Sequence, residues 1–434
     1  MLDTNDPLVA LADTIKWEVF NKSFASFYSN EGRPAKPIRL MVGLLILKQL
    51  ENLSDENIVL QWKRNPYYQY FCGMTEYQPA LPCDPTDLVY FRKRIGKEGA
   101  ESIFAMSVGL HGNAAQEKQV IIDTTVQEKN VTYPTDGKLA IKMIHHLHRI
   151  AKEEGIQLRR TYVKEIKGHR ISLRFFRHPK KIKKARAAMK RLKTITRILI
   201  RDISRKLDDK KLEVYQETFD LFLKVSDQKQ KDSNKIYSLH EQHIYAIAKG
   251  KDHKKYEYGT KASLVTTMKS NVIIGVAAHQ TNEHDSKTLE AALASANKHR
   301  NKPITEAICD RGYRGKKEVD GTIICIPDTS KKRDTPYQKE QKRKKFKRRA
   351  AIEPIIGHVK SDHRMQKNYL KGFIGDEINL LLAAAAFNLK KWMNHFLALI
   401  FMLKIVLLVH MLRYMGQEKR QKYADIYLML YRLW

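Results

Sequence analysis

The spacing of apolar and polar positions changes several times along this chain, and each change predicts a different element. Up to about residue 115 the pattern is helical. Leu40–Leu50, LMVGLLILKQL, is apolar on almost every side and predicts a buried helix. Ser54 and Asp55 mark the start of the next helix, a capping hydroxyl followed by acids suited to a first turn. The ENL link between them has the spacing of a helical hairpin or a helix-turn-helix, which pattern alone does not separate. Asp84-Pro85-Thr86-Asp87 then opens a third helix, where Tyr90 and Phe91 precede Arg92, Lys93 and Arg94.

Val120–Val126, VIIDTTV, switches to a short β-rich run with one acid, Asp123, at its centre. A carboxylate in an apolar strand is expensive unless it is paired, hydrogen-bonded or bound to metal, so Asp123 is a site candidate. From about Lys138 to Lys235 the helical period returns, with Met189, Leu192, Ile195, Leu199, Ile203 and Leu207 on one face of a single amphipathic helix. Lys235–Lys249, Tyr256–Thr267 and Val272–His279 then read as paired strands, with MKSN as the turn between the last two. A helix opens at Asp285-Ser286-Lys287. A strand from Ile304 to Cys309 ends in Asp310, followed at once by Arg311-Gly312-Tyr313, and an acid beside glycine at the C-terminal end of a strand is where sheet proteins tend to place a ligand. Gly321–Pro327 predicts one more strand.

The stretch Phe346–Lys360, FKRRAAIEPIIGHVK, sets one carboxylate, Glu353, among cations. If it is helical, Arg349 lies about 40° from Glu353 around the axis and Lys360 about 20° to the other side. Ile352, Ile355, Ile356 and Val359 form an apolar face that can seat the helix on a sheet. Pro354 requires the helix to begin near Ile352 or to bend there.

At 434 residues the chain is long enough for about three ordinary domains. Its formal charge of +33 calls for a polyanionic partner, and nucleic acid is the expected one. The basic helices of 138–234, with Lys183, Lys184, Arg186, Lys190 and Arg191, are the expected phosphate contacts. His145, His146 and His148 have no Cys or acid set nearby and read as surface residues. Cys72, Cys83, Cys309 and Cys325 form no C-x-x-C pair, which predicts reduced, buried thiols. The start, MLDTNDPLVALADTIKW, lacks the pattern of a signal peptide and predicts a cytoplasmic protein. Phe396–Leu412 is apolar but short for a membrane span and carries Lys404, so the expectation is a buried or oligomer-forming helix.

Asp123, Asp310 and Glu353 thus fall on separate elements that can converge at one sheet edge. Three clustered carboxylates repel one another, and two divalent cations roughly 4 Å apart would neutralise them and clamp a phosphodiester. Hard oxygen ligands select Mg²⁺ or Mn²⁺. At these residues the sequence resembles the DDE transposases of bacterial insertion sequences, specifically the group called insertion sequence family five. The resemblance runs from FYSNEGRPAKPIRLMVGLLILKQLENLSDENIV through DPTDLVYFRKRIG, DTTV, KGKDHKKYEYGTK and NEHDSKTL to CDRGYRG and the RxxxExxxxxxK signature, covering nearly all of residues 20 to 395.

The resemblance implies that Asp123, Asp310 and Glu353 are catalytic, metal-holding acids of a ribonuclease-H-like fold, with Arg349 and Lys360 in the signature around the glutamate. The family's related signature has tyrosine where this chain has Phe346, which removes a phenol donor and leaves base stacking. Tyr313, and His284 with Asp285, correspond to accessory positions, and Arg311 and Tyr313 join the expected DNA contacts. The expected fold is α/β: a mixed sheet flanked by helices and formed from 116–137 and 235–395, after an N-terminal helical domain (1–115), with a basic helical insertion (138–234) and a tail (396–434). The expected activity is metal-dependent cleavage at the element's terminal inverted repeats and strand transfer into target DNA, by a homo-oligomer in the bacterial nucleoid. The alternative is a non-catalytic DNA-binding regulator descended from an inactive copy.

Overall fold

A computed structural model describes residues 2–28, 35–229, 232–248, 255–327 and 333–413. Parts of the FYSNEGRP and KGKDHKK motifs, part of the loop before Thr335, and the tail from 414 on lie outside the described residues.

Among the described residues six α-helices come first: α1 (Pro7–Thr14), α2 (Trp17–Ala25), α3 (Ile38–Leu50), α4 (Asp55–Arg64), α5 (Pro66–Phe71) and α6 (Pro85–Gly109). Their starts follow the capping signals. Ser54 accepts from the Asn57 N–H at α4, and Asp84 and Asp87 form a reciprocal capping box with Pro85 in the first turn of α6. Gly96, at φ 57, interrupts α6 in a conformation that side-chain-bearing residues resist. Every residue of α3 from Leu40 to Leu50 is buried, and Arg92, one of the cations after Tyr90 and Phe91, is buried too, donating to both oxygens of Asp55 at 2.7 and 2.6 Å. Lys48 reaches the same carboxylate at 2.7 Å, so α3, α4 and α6 are tied into a packing unit.

The sheet contains β1 (Gln119–Glu128), β2 (Tyr245–Ala248), β3 (Tyr256–Thr267), β4 (Ile273–His279), β5 (Glu306–Ile308), β6 (Glu318–Val319) and β7 (Thr322–Cys325). β1, β3 and β4 are successive antiparallel neighbours, and β2 pairs with the N-terminal part of β3. On the other side of β1, β5 and then β7 run parallel to it, and β6 closes the edge. The expected long strand Lys235–Lys249 shrinks to Tyr245–Ala248. Its polar residues are used otherwise: Glu241 accepts from the Gly372 N–H at 3.0 Å and His243 reaches Asp376 at 2.8 Å, so the segment is bonded across the fold instead of along a ladder.

Between β1 and β2 stands the basic insertion, α7 (Asp136–Glu153), α8 (Val163–Ser172), α9 (Ile182–Ser204) and α10 (Asp209–Asp227). Leu192, Ile195, Leu199 and Ile203 on α9 pack with Leu139, Met143 and Leu147 on α7 and Phe219 and Phe222 on α10, a core separate from the main one. The N-terminal helices, by contrast, share one continuous core with the sheet, so packing does not break near residue 115.

The remaining α-helices among the described residues are α11 (Leu289–Lys298), α12 (Pro336–Arg349), α13 (Ile352–Ser361) and α14 (Gly372–Arg413). α11 packs on β3 and β4, α13 on β1, and α14 on α3, α6 and β4. α14 is a core helix as far as Met393. Beyond it only the burial half of the buried-or-oligomer-forming expectation fails: Leu399, Met402, Leu403, Val406 and Leu407 are each more than half exposed in the single chain. The helix is long and apolar enough to cross a membrane by length and composition, but 72% of its most apolar stretch is buried within the protein.

Candidate active site

Asp123 is in the middle of β1, opposite Leu264 of β3. One carboxylate oxygen accepts the Thr124 N–H at 2.8 Å. Burial raises its pKa to about 6, helped by the neighbouring acids Asp310 and Asp285 and opposed by the Thr124 amide and Arg349. Ile121 of β1 pairs with Ile308 of β5, and continuing that parallel register by two residues brings Asp310 beside Asp123. Asp310 then caps the turn Arg311–Tyr313 by accepting the Gly312 N–H at 2.7 Å.

Asp285, expected as an accessory position, joins these two. It accepts from the Thr124 hydroxyl at 3.1 Å and pairs with Lys261 at 2.9 Å. A Cβ on Gly312 would stand 2.9 Å from an oxygen of Asp310 and 3.0 Å from one of Asp285, so the glycine permits the close approach of the two acids. Lys261 and Thr124 were not singled out from the sequence. Lys261 lies in a strand that also carries Glu257 and several hydroxyl side chains, so it does not break the local pattern as Asp123 does. Thr124, Lys261 and Asp285 also line a cavity of about 290 Å³.

Glu353 reaches the site through an arginine. α12 ends at Arg349 and α13 begins at Ile352, which puts Pro354 in a first turn, where its missing N–H does no harm. Ala350 and Ala351 keep right-handed helical geometry across the joint, so the expected pairing survives. The Arg349 guanidinium stands 3.8 Å from Glu353 on one side and 3.8 Å from Asp123 on the other. Ile352, Ile355 and Val359 are buried and seat α13, while the Glu353 side chain is 66% exposed. The three expected acids therefore do not form one closed cluster. Asp123 and Asp310 stand together with Asp285, Glu353 is linked to them by Arg349, and among the described residues no three His, Cys, Asp or Glu side chains are near enough to hold a metal ion.

The expected DNA contacts divide. Arg311 is exposed, Phe346 and Lys360 are half-buried, and Lys183, Lys184, Arg186 and Lys190 are exposed on α9. Tyr313 is wholly buried near Asp123 and Asp285, and that burial pushes its phenol well above its ordinary range, so its ring is not placed to touch DNA. Arg191 is already engaged, donating to Glu165 at 2.5 Å and lying 5.8 Å over the Tyr162 ring.

A transposase domain family matches residues 1–94, and a transposase DDE domain family matches residues 222–389, a stretch that includes Asp285, Asp310, Arg349 and Glu353. The chain belongs to the DDE transposases. These enzymes cleave DNA strands and transfer them, with a divalent metal requirement, and the mixed sheet with its helices is their ribonuclease-H-like fold. An uncharacterized protein, ORF8 in the nfe locus of Rhizobium meliloti, is 40% identical to this transposase over 183 residues, which are 41% of this chain and 88% of that protein. No solved structure matches the chain. Asp123 and most of the basic insertion fall outside both matched stretches.

Proposed function

We propose that Asp123, Asp310 and Glu353 are the catalytic acids of this transposase and that Mg²⁺ or Mn²⁺, two ions in the working complex, binds among them. The observation that carries the reading is an imbalance of charge. Asp123, Asp285 and Asp310 stand together beside Lys261 and Arg349, with Glu353 joined to them through Arg349, and burial, helped by the neighbouring acids, pushes the Asp123 carboxyl up to about 6. An all-oxygen donor set with surplus negative charge suits a hard divalent cation. When bound, the metal supplies Lewis-acid stabilisation of the attacking and leaving oxygens of the phosphodiester.

The chain's own residues supply position. β1 and β5 fix Asp123 and Asp310 side by side, the Thr124 hydroxyl and Lys261 orient Asp285, and Arg349 holds Glu353 toward Asp123. Arg349 is also placed to meet phosphate once the acids are neutralised. The exposed cations of α9 give the protein a phosphate-binding surface on the insertion. The substrates of this reading are the terminal inverted repeats of the protein's own element and target DNA. It places the chain in insertion sequence family five, working as a homo-oligomer in the bacterial nucleoid. The competing reading is a regulator that binds the same ends without cutting them.

The test separates binding from chemistry. Asp123→Asn, Asp310→Asn and Glu353→Gln should each abolish strand cleavage in Mg²⁺ while the DNA ends remain bound. Ca²⁺, which accepts looser coordination, should support binding without cleavage. Cleavage by the unsubstituted protein in EDTA would refute the metal assignment. If the parent protein binds ends in Mg²⁺ and never cuts them, the regulator reading wins.

A further inference from the structure

α13 has two faces. Glu353 and Lys360 share one, whereas His358 and Asp362 fall about 140° and 180° around the axis from Glu353. That second face borders a cleft of about 920 Å³ whose walls include the turn Lys269–Val272, His111 and the Lys390–Trp392 segment of α14. The turn follows Thr267, which pairs with Val120 near the start of β1, so the cleft is displaced along the strand from Asp123 and the Asp310 turn. Two consecutive arginines bridge the distance. Arg349 faces Asp123 and Glu353, and Arg348 donates to the Lys269 carbonyl at 2.9 Å and to the Asn271 side chain at 2.8 Å.

The cleft is short of negative charge. Among the described residues no carboxylate pairs with the ammonium groups of Lys269, Lys390 or Lys391, and the acid lining the cleft, Asp362, is held by His358 at 2.8 Å and Ser361 at 2.6 Å. Glu117, the acid next to the turn, accepts the backbone N–H groups of Lys269 and Ser270. Burial, and then Arg348 nearby, lower the pKa of Lys391. Trp392, stacked at 5.7 Å on Phe396, adds an aromatic wall. Unpaired cations in a trough with an aromatic side are the surface that a nucleic-acid backbone recognises.

We propose that this cleft is a second DNA-binding site, in which Lys269, Lys390 and Lys391 contact phosphates of a segment that passes over Arg348 from the acids. The proposal rests on the DNA-acting reading above but concerns a surface that the catalytic assignment does not use. Two segments share the required chemistry, the element's own DNA beside the cleavage point and the target duplex.

The experiment uses the full chain in metal-free buffer and follows binding by fluorescence anisotropy at several salt concentrations. One duplex carries the DNA flanking the coding region, the other an unrelated sequence. Lys269→Ala/Lys390→Ala/Lys391→Ala should reduce the log–log salt slope by about 2 to 3, at roughly 0.9 for each phosphate neutralised, and weaken binding more than tenfold at low salt. Lys391 is half-buried, so the exposed pair Lys269→Ala/Lys390→Ala, expected to reduce the slope by nearly 2, guards against a folding defect. A loss on the flanking duplex alone assigns the cleft to the element's end, a loss on the unrelated duplex alone assigns it to target DNA, and a loss on both supports phosphate contact with either. Unchanged slopes on both duplexes, with binding still weakened by Lys183→Ala/Lys184→Ala/Arg186→Ala/Lys190→Ala, would overturn the cleft and leave the transposase reading standing. A parent protein that binds neither duplex would remove both.

Discussion

Strand β1 places one charged side chain in its middle and another just past its end, and their surroundings differ. Lys129, with 3% of its side chain exposed, donates to Asp376 at 2.6 Å and to the Gly372 carbonyl at 3.0 Å, and pairs with Glu241 at 3.3 Å. All three of its donors have partners. Asp376 in turn receives the Asn368 amide at 2.6 Å and His243 at 2.8 Å. Asp123 accepts one backbone N–H, stands 3.8 Å from the nearest guanidinium, and has other acids as neighbours. One cluster is closed and holds the fold together. The other is left open, and an unsatisfied arrangement on a rigid strand is where binding energy for an outside cation or phosphate is available.

The largest effect should come from breaking the closed cluster. Asp376→Ala leaves the Lys129 ammonium buried with a weaker partner, and removing one member of a buried ion pair destabilises by roughly 3–5 kcal/mol. Urea unfolding measures this directly. A loss below about 1 kcal/mol would mean that Lys129 reaches water, and the contrast between the two clusters would fail.

At the open cluster the sign reverses. Asp123 titrates near 6 in the folded chain against 3.8 as its ordinary value. Below about pH 4 the carboxyl is protonated in both folded and unfolded chains, and no penalty exists. Between about 4 and 6 the folded chain retains a proton that the unfolded chain has released, so stability falls as pH rises, and above 6 the penalty is complete. In EDTA, Asp123→Asn should therefore raise stability by up to about 3 kcal/mol above pH 6, with the gain shrinking to nothing toward pH 4. A destabilised variant across that range would show that the carboxylate is better matched than its neighbours suggest.

This difference also explains what was legible in the sequence. Asp123, Asp310 and Glu353 stood out because an acid within or at the end of an apolar run, or alone among cations, violates local pattern, and the helix starts at Ser54 and Asp84 were readable because capping is a short-range rule. The Lys129–Asp376 pair was not legible, since its partners are 247 residues apart and each alone resembles a surface charge. The same limit hid the burial of Arg92 and Tyr313. Both follow aromatic or glycine-rich signals that suit a binding surface, and only tertiary packing turns them inward. For the exposed second half of α14 the sequence predicted burial or a partner copy, because an apolar run calls for cover without saying whether the chain itself supplies it.

The smallest effect belongs to a third setting, the solvent-facing pairs of the insertion, and it separates structural from DNA-binding cations on one helix. Arg191 donates to Glu165 at 2.5 Å, and Arg160 and His169 crowd the same carboxylate at 3.4 and 3.5 Å. The Arg191 side chain is 37% exposed, so screening by water limits the pair, and a double-mutant cycle on Arg191→Ala and Glu165→Ala should give a coupling of about 0.5–1 kcal/mol. That is several times less than at Lys129 because the charges give up less hydration and gain less from each other. Arg191→Ala should also leave the salt slope of DNA binding nearly unchanged, since its guanidinium is already occupied, whereas neutralising Lys183, Lys184, Arg186 and Lys190 should flatten it by about 0.9 for each phosphate no longer neutralised. A slope change of about 0.9 from Arg191→Ala alone would show that the arginine leaves Glu165 for phosphate when DNA arrives. It would then belong with the open cluster at Asp123, whose partners come from outside the protein, and not with the closed one at Lys129.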